Sequence, residues 1–133
     1  MDDAAEHLSA ETAGEKLSRF GLAAFMIGAG IGHFVNPEFF DEIVPSWMPF
    51  PNRTVTHASG VAEIAVGSLL LSRRTAKLGA WSTLLVLLGV YPANVQMAID
   101  TGMPEDLEGW AVWIRLPLQF PMFAWAIRIA RRS

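Results

Sequence analysis

Two charged residues lie inside long apolar runs of this sequence, where charges are costly. Glu63 interrupts the run from 55 to 71, and Arg115 interrupts the run from 110 to 130. A charge at the centre of a membrane-spanning helix costs about 2.5 to 3.5 kcal/mol on insertion scales, and such residues usually face the protein interior with a partner. An ion pair between Glu63 and Arg115 would be either a structural clamp or part of a binding site.

Other polar residues fall in or beside the same set of apolar runs. His33 ends the first run, His57 opens the second, Asn94 ends the third, and Gln119 lies one turn after Arg115. These groups, gathered around an apolar space, suit a lipophilic molecule with a polar head, such as a quinone whose ring oxygens accept hydrogen bonds. Each residue also has a structural interpretation, because a histidine at a helix end or an amide beside a proline can simply satisfy backbone groups.

The pattern disfavours metal, thiol and nucleic-acid chemistry. His57 and Glu63 stand six positions apart, on different faces of one helix, and the sequence has no paired metal-ligand spacing. The absence of cysteine removes disulfides, thiolate metal sites and dithiol redox chemistry. A net charge of -3 provides no basic field for nucleic acid. We therefore expect no metal site and no nucleic-acid partner.

Four apolar runs must position these side chains, and their lengths suit a bilayer. A span needs roughly 17 to 25 mostly apolar residues, and a soluble four-helix bundle would need polar faces that the third run lacks. We expect an all-α integral membrane bundle of four transmembrane helices. A polar cytoplasmic tail over residues 1–16 would precede one membrane domain over 17–133. The predicted spans are 17–34, 55–71, 76–95 and 110–130.

The connecting segments predict an interfacial helix and an orientation. From Pro37 to Trp47, apolar residues recur on one face and acidic residues on the other, which predicts a short amphipathic helix between helices 1 and 2 that could cover the polar groups as a lid. Basic residues crowd the side that would hold both termini, whereas the opposite loops carry only Arg53. The positive-inside rule then predicts an inner-membrane protein with cytoplasmic termini. Gly28 and Gly32 form a GxxxG pair suited to close helix contact.

An ordered series of short motifs resembles the DoxX-like family of small membrane proteins. The motifs are G-x-G-H-F-x-x-P from Gly30 to Pro37, I-V-P from Ile43 to Pro45, S-G-x-A-E from Ser59 to Glu63, Y-P-A-N from Tyr91 to Asn94, and R-x-P-L-Q from Arg115 to Gln119. The resemblance implies a four-helix membrane bundle linked to membrane oxidoreductase complexes, the namesake being a subunit of a thiosulfate:quinone oxidoreductase. Relatives that use cysteines find no counterpart in this chain.

The sequence thus supports two hypotheses about function. In the first, the protein is an accessory or ligand-binding subunit of a membrane oxidoreductase system, rather than a stand-alone enzyme, and it binds a lipophilic molecule such as a quinone. Glu63 and Arg115 would hold the polar head, surrounded by the other four polar residues. In the second, it is a non-enzymatic assembly factor or scaffold whose glycine-rich face (Gly21, Gly28, Gly32) docks a helix of a partner or of a second copy.

Overall fold

The computed structural model describes residues 11–133, and this part of the chain is all-α. Thr12 caps the first helix by accepting a hydrogen bond from the Glu15 amide at 3.1 Å. Residues 13–16 of the predicted tail are therefore helical, whereas residues 1–10 lie outside the described part. The helices are α1 (Ala13–Val35), α2 (Pro37–Asp41), α3 (Asn52–Leu69), α4 (Ala76–Thr101) and α5 (Leu107–Arg132).

The helices α1 and α3 pack very closely because glycines meet at their interface. A Cβ built on Gly30 would lie 2.7 Å from the Gly60 carbonyl oxygen, and one on Gly60 would lie 2.9 Å from the His33 Cβ. Further along the interface, a Cβ on Gly67 would lie 2.7 Å from Ile27 Cγ1. Nothing lies within 4 Å of the corresponding position on Gly28. The close contact therefore uses a different face of α1 from the predicted GxxxG pair.

The helices α4 and α5 form a second antiparallel pair joined by a short turn. Thr101 Oγ1 donates to the Met97 carbonyl oxygen at 2.8 Å, and α4 ends only at Gly102, whose φ of 74° is a conformation that favours glycine. The predicted spans 76–95 and 110–130 are therefore too short at this turn, because α4 continues to Thr101 and α5 begins at Leu107. Pro92 lies inside α4, where it removes one helical hydrogen bond and its ring crowds the preceding turn.

The hydrophobic core lies at the end of the bundle that holds the C-terminus and the start of α1. Its side chains come from the first half of α1, the last turns of α3, the first turns of α4 and the last turns of α5 (Leu22, Ala23, Met26, Val66, Leu70, Ala80, Ala126, Ile129 and Ala130). All four long helices thus meet at this end. The predicted site residues lie toward the other end, beyond this core.

At the core end, a buried arginine links α1 to the turn between α3 and α4. Arg19 is only 4% exposed, and its Nη1 donates to the carbonyl oxygens of Leu70 and Leu71 at 2.7 and 2.9 Å. Its Nε donates to Glu11 at 2.9 Å, and this hydrogen bond holds the pKa of Glu11 below its usual value. Arg19 therefore satisfies carbonyls that the end of α3 leaves without helical partners.

The predicted amphipathic helix from Pro37 to Trp47 is wrong in extent. The structure has one short helix, α2, which ends at Asp41 and is followed by turns. Pro45 explains part of the difference, because proline disfavours helical backbone at the residue before it. Phe39 and Phe40 also point differently: Phe40 packs against α1, whereas Phe39 is 43% exposed.

Two of the helices, α1 and α4, are long and apolar enough to cross a membrane. The helices α3 and α5 coincide with the other two predicted spans but do not combine the length and the high mean hydropathy of α1 and α4. The core helix of a soluble protein can have the same length and hydropathy as α1 and α4. The all-α prediction is confirmed, and its membrane part rests on these two helices.

Candidate functional site

The central feature of the candidate site is a buried contact between His33 of α1 and Glu63 of α3. The His33 Nδ1 lies 3.1 Å from the Glu63 Oε2, and the side chains are 9% and 11% exposed. His33 is one turn beyond Gly30, and Glu63 is one turn beyond Gly60. The glycine contact holds the two helix axes close enough for these short-range partners to meet.

The hydrogen bonding of His33 defines which atoms remain available. Its Nδ1 also lies 2.7 Å from the Ala29 carbonyl oxygen, and we assign the proton to Nδ1 because two lone pairs would not approach so closely. That proton points along its own helix, so the buried Glu63 Oε2 has no hydrogen-bond partner among the described residues. A buried acceptor without a partner costs about 1 to 3 kcal/mol. The site therefore holds one unsatisfied carboxyl oxygen and an imidazole whose Nε2 bonds to no residue from 11 to 133.

The short helix α2 covers one face of the imidazole. The Phe40 ring stacks on His33 with ring centroids 3.8 Å apart and planes 18° apart. Asp41 ties the end of α2 to α3, because it accepts from Thr56 Oγ1 at 2.6 Å and from Arg53 Nε at 2.9 Å. These hydrogen bonds, that from Thr56 foremost, hold the pKa of Asp41 below its usual value. Phe40 of this short helix thus covers His33, whereas a lid over the polar residues of all four helices remains a prediction.

The structure does not bring Arg115 to Glu63. Arg115 is exposed on α5 and has no hydrogen bond or ion pair with any residue from 11 to 133, whereas Glu63 faces His33. The physical reason is the pairing of helices: Glu63 lies on the α3 surface that packs on α1, while α5 packs chiefly on α4. The ion pair considered from sequence is therefore not formed.

The other predicted site residues are dispersed. His57 is half-buried and stacks on Phe34, the residue after His33, with ring centroids 5.0 Å apart. Gln119 is buried on α5, and Asn94 is half-buried on α4. No hydrogen bond or ion pair links these two amides to Glu63 in the described part of the chain. The structure thus brings together His33 and Glu63, places His57 against Phe34 on the same pair of helices, and leaves the residues of α4 and α5 apart from them.

Several residues that shape the site were not singled out from the sequence. Phe40 and Asp41 were assigned only to an amphipathic pattern, and Thr56 was not considered. A contact between residues 15 positions apart leaves no local signal that would have identified it. Thr83 was likewise missed, although it is fully buried on α4 and its Oγ1 has no partner among residues 11–133.

Metal ligation has no support in the geometry. Among the residues that the structure describes, no three His, Asp or Glu side chains cluster as ligands would. A shallow surface depression does lie near the α4–α5 turn, lined by Thr101, Met103, Glu105, Asp106 and Gly109. It is remote in sequence from the His33–Glu63 contact and includes none of the predicted site residues.

Comparison with known proteins assigns a family but no activity. Residues 22–130 match the family Domain of unknown function (DUF8561). The chain belongs to this family. No curated protein and no solved structure matches it. The matched DUF8561 region includes every predicted site residue, and its family description carries no DoxX-like assignment.

Proposed function

We propose that this DUF8561 protein is an inner-membrane protein whose four long helices all span the bilayer. The support is where its apolar residues lie. Only 17% of the most apolar stretch of α4 is buried, and Leu78, Leu85 and Leu88 are 61%, 70% and 48% exposed. A helix so apolar would be mostly buried in a soluble protein. In a bilayer the same side chains would face lipid at no cost.

The proposal includes α3 and α5 because each lies antiparallel to an apolar partner. At about 1.5 Å per residue, the 18 residues of α3 extend about 27 Å and the 26 residues of α5 about 39 Å, near or above the roughly 30 Å hydrocarbon core. Basic residues at the end that holds the C-terminus favour a cytoplasmic location for both termini.

The absence of cysteine gives a direct test of this topology. Single cysteines would replace Ser46, after α2, and Ser72, between α3 and α4; both positions are exposed. In intact cells, a membrane-impermeant maleimide should label the Ser46→Cys protein and not the Ser72→Cys protein, while permeabilised cells should allow both reactions. Labelling of both proteins in intact cells, or recovery of the protein in the soluble fraction, would contradict the proposal.

We further propose that the protein binds a lipophilic molecule with a polar head at the His33–Glu63 contact. The observation that carries this idea is the Glu63 Oε2 beside an imidazole Nε2, neither of which has a hydrogen-bond partner in the part of the chain that the structure describes. A ligand that donates to the Glu63 Oε2 and to the His33 Nε2 would supply the missing hydrogen bonds. A quinol, the reduced form of a quinone, fits this description because its two hydroxyl groups donate, in keeping with the resemblance to DoxX-like proteins and an accessory role in an oxidoreductase system.

The decisive experiment compares small molecules that co-purify with the wild-type and Glu63→Gln proteins in mild detergent, measured by mass spectrometry. Glu63→Gln keeps the shape but replaces one acceptor with a donor, so retained ligand should fall severalfold. Glu105→Gln, a change to an exposed loop carboxylate, is the matched control and should change nothing. If Glu63→Gln leaves ligand content unchanged and lowers only thermal stability, the pair is structural and the ligand proposal fails.

Arg115, Asn94 and Gln119 lie on α4 and α5, away from the His33–Glu63 contact. They belong to the ligand site only if the α4–α5 pair also contacts the polar head of the ligand. An Arg115→Gln protein measured in the same way tests whether that pair contributes to the polar head. A loss of ligand equal to that of Glu63→Gln would assign Arg115 to the site. Unchanged ligand content would restrict the site to α1, α2 and α3.

A second function, docking of a partner helix, is favoured by one observation on α1. Gly28 is exposed, and a Cβ built on it would meet no atom within 4 Å, whereas a Cβ on Gly21 would lie 3.3 Å from Trp125 and one on Gly32 would lie 3.6 Å from Phe40. Of the glycines proposed for docking, Gly28 is therefore the one open to a second helix. A Gly28→Leu protein that keeps its ligand and loses a constant co-purifying chain would favour the scaffold role.

A further inference from the structure

Among the side chains that the structure describes, cations greatly outnumber anions at the core end of the bundle. The two described acidic side chains there are already engaged: Glu11 lies 2.9 Å from Arg19 Nε and 2.7 Å from Arg73 Nε, and Glu15 lies 3.5 Å from Arg132. Five further cations are exposed and have no ion pair with any described residue: Lys16, Arg74, Lys77, Arg128 and Arg131.

Contacts between the helices bring these cations to one rim. Arg19 ties the α3–α4 turn to α1 through the Leu70 carbonyl oxygen. On another side, Trp125 Nε1 donates to Ser18 Oγ at 2.8 Å and ties α5 to α1. The start of α1, the start of α4 and the end of α5 therefore share one end of the molecule, and we name the five exposed cations on them the basic rim.

Exposed apolar side chains lie beside the basic rim. Leu17 follows Lys16 and is 75% exposed, and Leu78 follows Lys77 and is 61% exposed. Such pairs place a charge for a phosphate next to a surface for an acyl chain. A free phosphate ion would use only the first of these features, whereas a phospholipid uses both.

We propose that the basic rim binds the phosphate groups of anionic phospholipids of the membrane leaflet. Guanidinium groups suit this role because they bind phosphate through two parallel hydrogen bonds. The proposal rests on the membrane location proposed above, but it is independent of any ligand at Glu63. The basic rim thereby anchors the start of α4 and the end of α5 at the headgroup layer.

The test is native mass spectrometry of the detergent-purified full chain, titrated with phosphatidylglycerol or with phosphatidylcholine of the same acyl chains. The wild-type protein should bind phosphatidylglycerol more tightly. In a protein carrying Arg74→Gln, Lys77→Gln and Arg128→Gln, the ratio of the affinity for phosphatidylglycerol to that for phosphatidylcholine should fall about a hundredfold. Each basic residue near an anionic surface contributes about fivefold to the binding constant. Arg53→Gln, which removes a cation at the opposite end, is the matched control and should retain the preference.

Three results would overturn the proposal: equal affinity of the wild-type protein for both lipids, an equal loss of preference in Arg53→Gln, or displacement of phosphatidylglycerol by millimolar inorganic phosphate. The last result would indicate a site for the free ion instead of the lipid. The retained small molecule is read in the same spectra. Its loss from the Glu63→Gln protein is therefore scored separately, and failure of either proposal leaves the other measurable.

Discussion

Replacing single glycines of α1 by alanine tests the packing that creates the candidate site. Gly28 and Gly30 are two positions apart in one helix, yet their surroundings differ completely. A Cβ on Gly30 would lie 2.7 Å from the Gly60 carbonyl oxygen and 3.0 Å from the Ile64 amide nitrogen, both backbone atoms that cannot rotate away. A Cβ on Gly28 would meet no atom within 4 Å.

The size of the effect follows from this geometry. To reach an ordinary contact of 3.4 Å, α1 and α3 must separate by about 0.7 Å near Gly30. Overpacking of this kind typically costs about 1 to 3 kcal/mol. Both substitutions gain the same helix propensity, about 1 kcal/mol, so this gain cancels between them. We expect the Gly30→Ala protein to be less stable than the Gly28→Ala protein by about 1 to 3 kcal/mol.

The assay is reversible unfolding in mixed micelles, with helicity followed by circular dichroism as denaturing detergent is added. The same separation would stretch the 3.1 Å contact between His33 and Glu63, so Gly30→Ala should also reduce the co-purifying ligand. Equal stability of the two variants, or a lower stability for Gly28→Ala, would refute the packing of α1 on α3 described above.

Three further changes have defined outcomes. Asp41→Asn should abolish an acid-induced release of α2 from α3, measured by limited proteolysis. The pKa of Asp41 is lowered in the folded protein, chiefly by its hydrogen bond from Thr56, so this bond stabilises the contact of α2 with α3 above the unfolded pKa. That stabilisation is lost as pH falls through the pKa of the folded protein. Arg19→Gln should lower the free energy of unfolding by about 2 to 5 kcal/mol because buried carbonyls lose their donor, whereas Lys16→Gln should change little on the same denaturation curves. Gly102→Ala should cost about 1 to 3 kcal/mol through backbone strain, measured in the same way.

The helices could be predicted from the sequence because their signal is local. The predicted spans 17–34, 55–71, 76–95 and 110–130 correspond to α1, α3, α4 and α5, with errors of a few residues at most ends. The largest error is at the end of α4, which was predicted at residue 95 and lies at Thr101. There Gln96 donates to Asp100 at 2.9 Å, a pairing that stabilises a helix outside an apolar environment.

Helix pairing could not be predicted because it depends on which glycines meet. The GxxxG spacing favoured Gly28 and Gly32, yet the contact uses Gly30, Gly60 and Gly67. The two glycines on α3 are seven positions apart, which places them on one face over two turns, and that spacing was a usable signal. The partner of Glu63 followed from this choice, since the α3 face that carries Gly60 also carries Glu63 toward α1.

The identity of that partner decides what kind of site Glu63 can form. A guanidinium never releases its proton in proteins, so an Arg115 partner would have fixed Glu63 as an ionised clamp. The His33 ring is held by the Ala29 carbonyl oxygen through Nδ1, and its Nε2 has no hydrogen-bond partner among the described residues. A ligand can therefore bond to Nε2 and to the Glu63 Oε2 without displacing a hydrogen bond of the described fold. The ligand proposed above therefore fits the His33–Glu63 contact better than it would fit a permanent ion pair between Glu63 and Arg115.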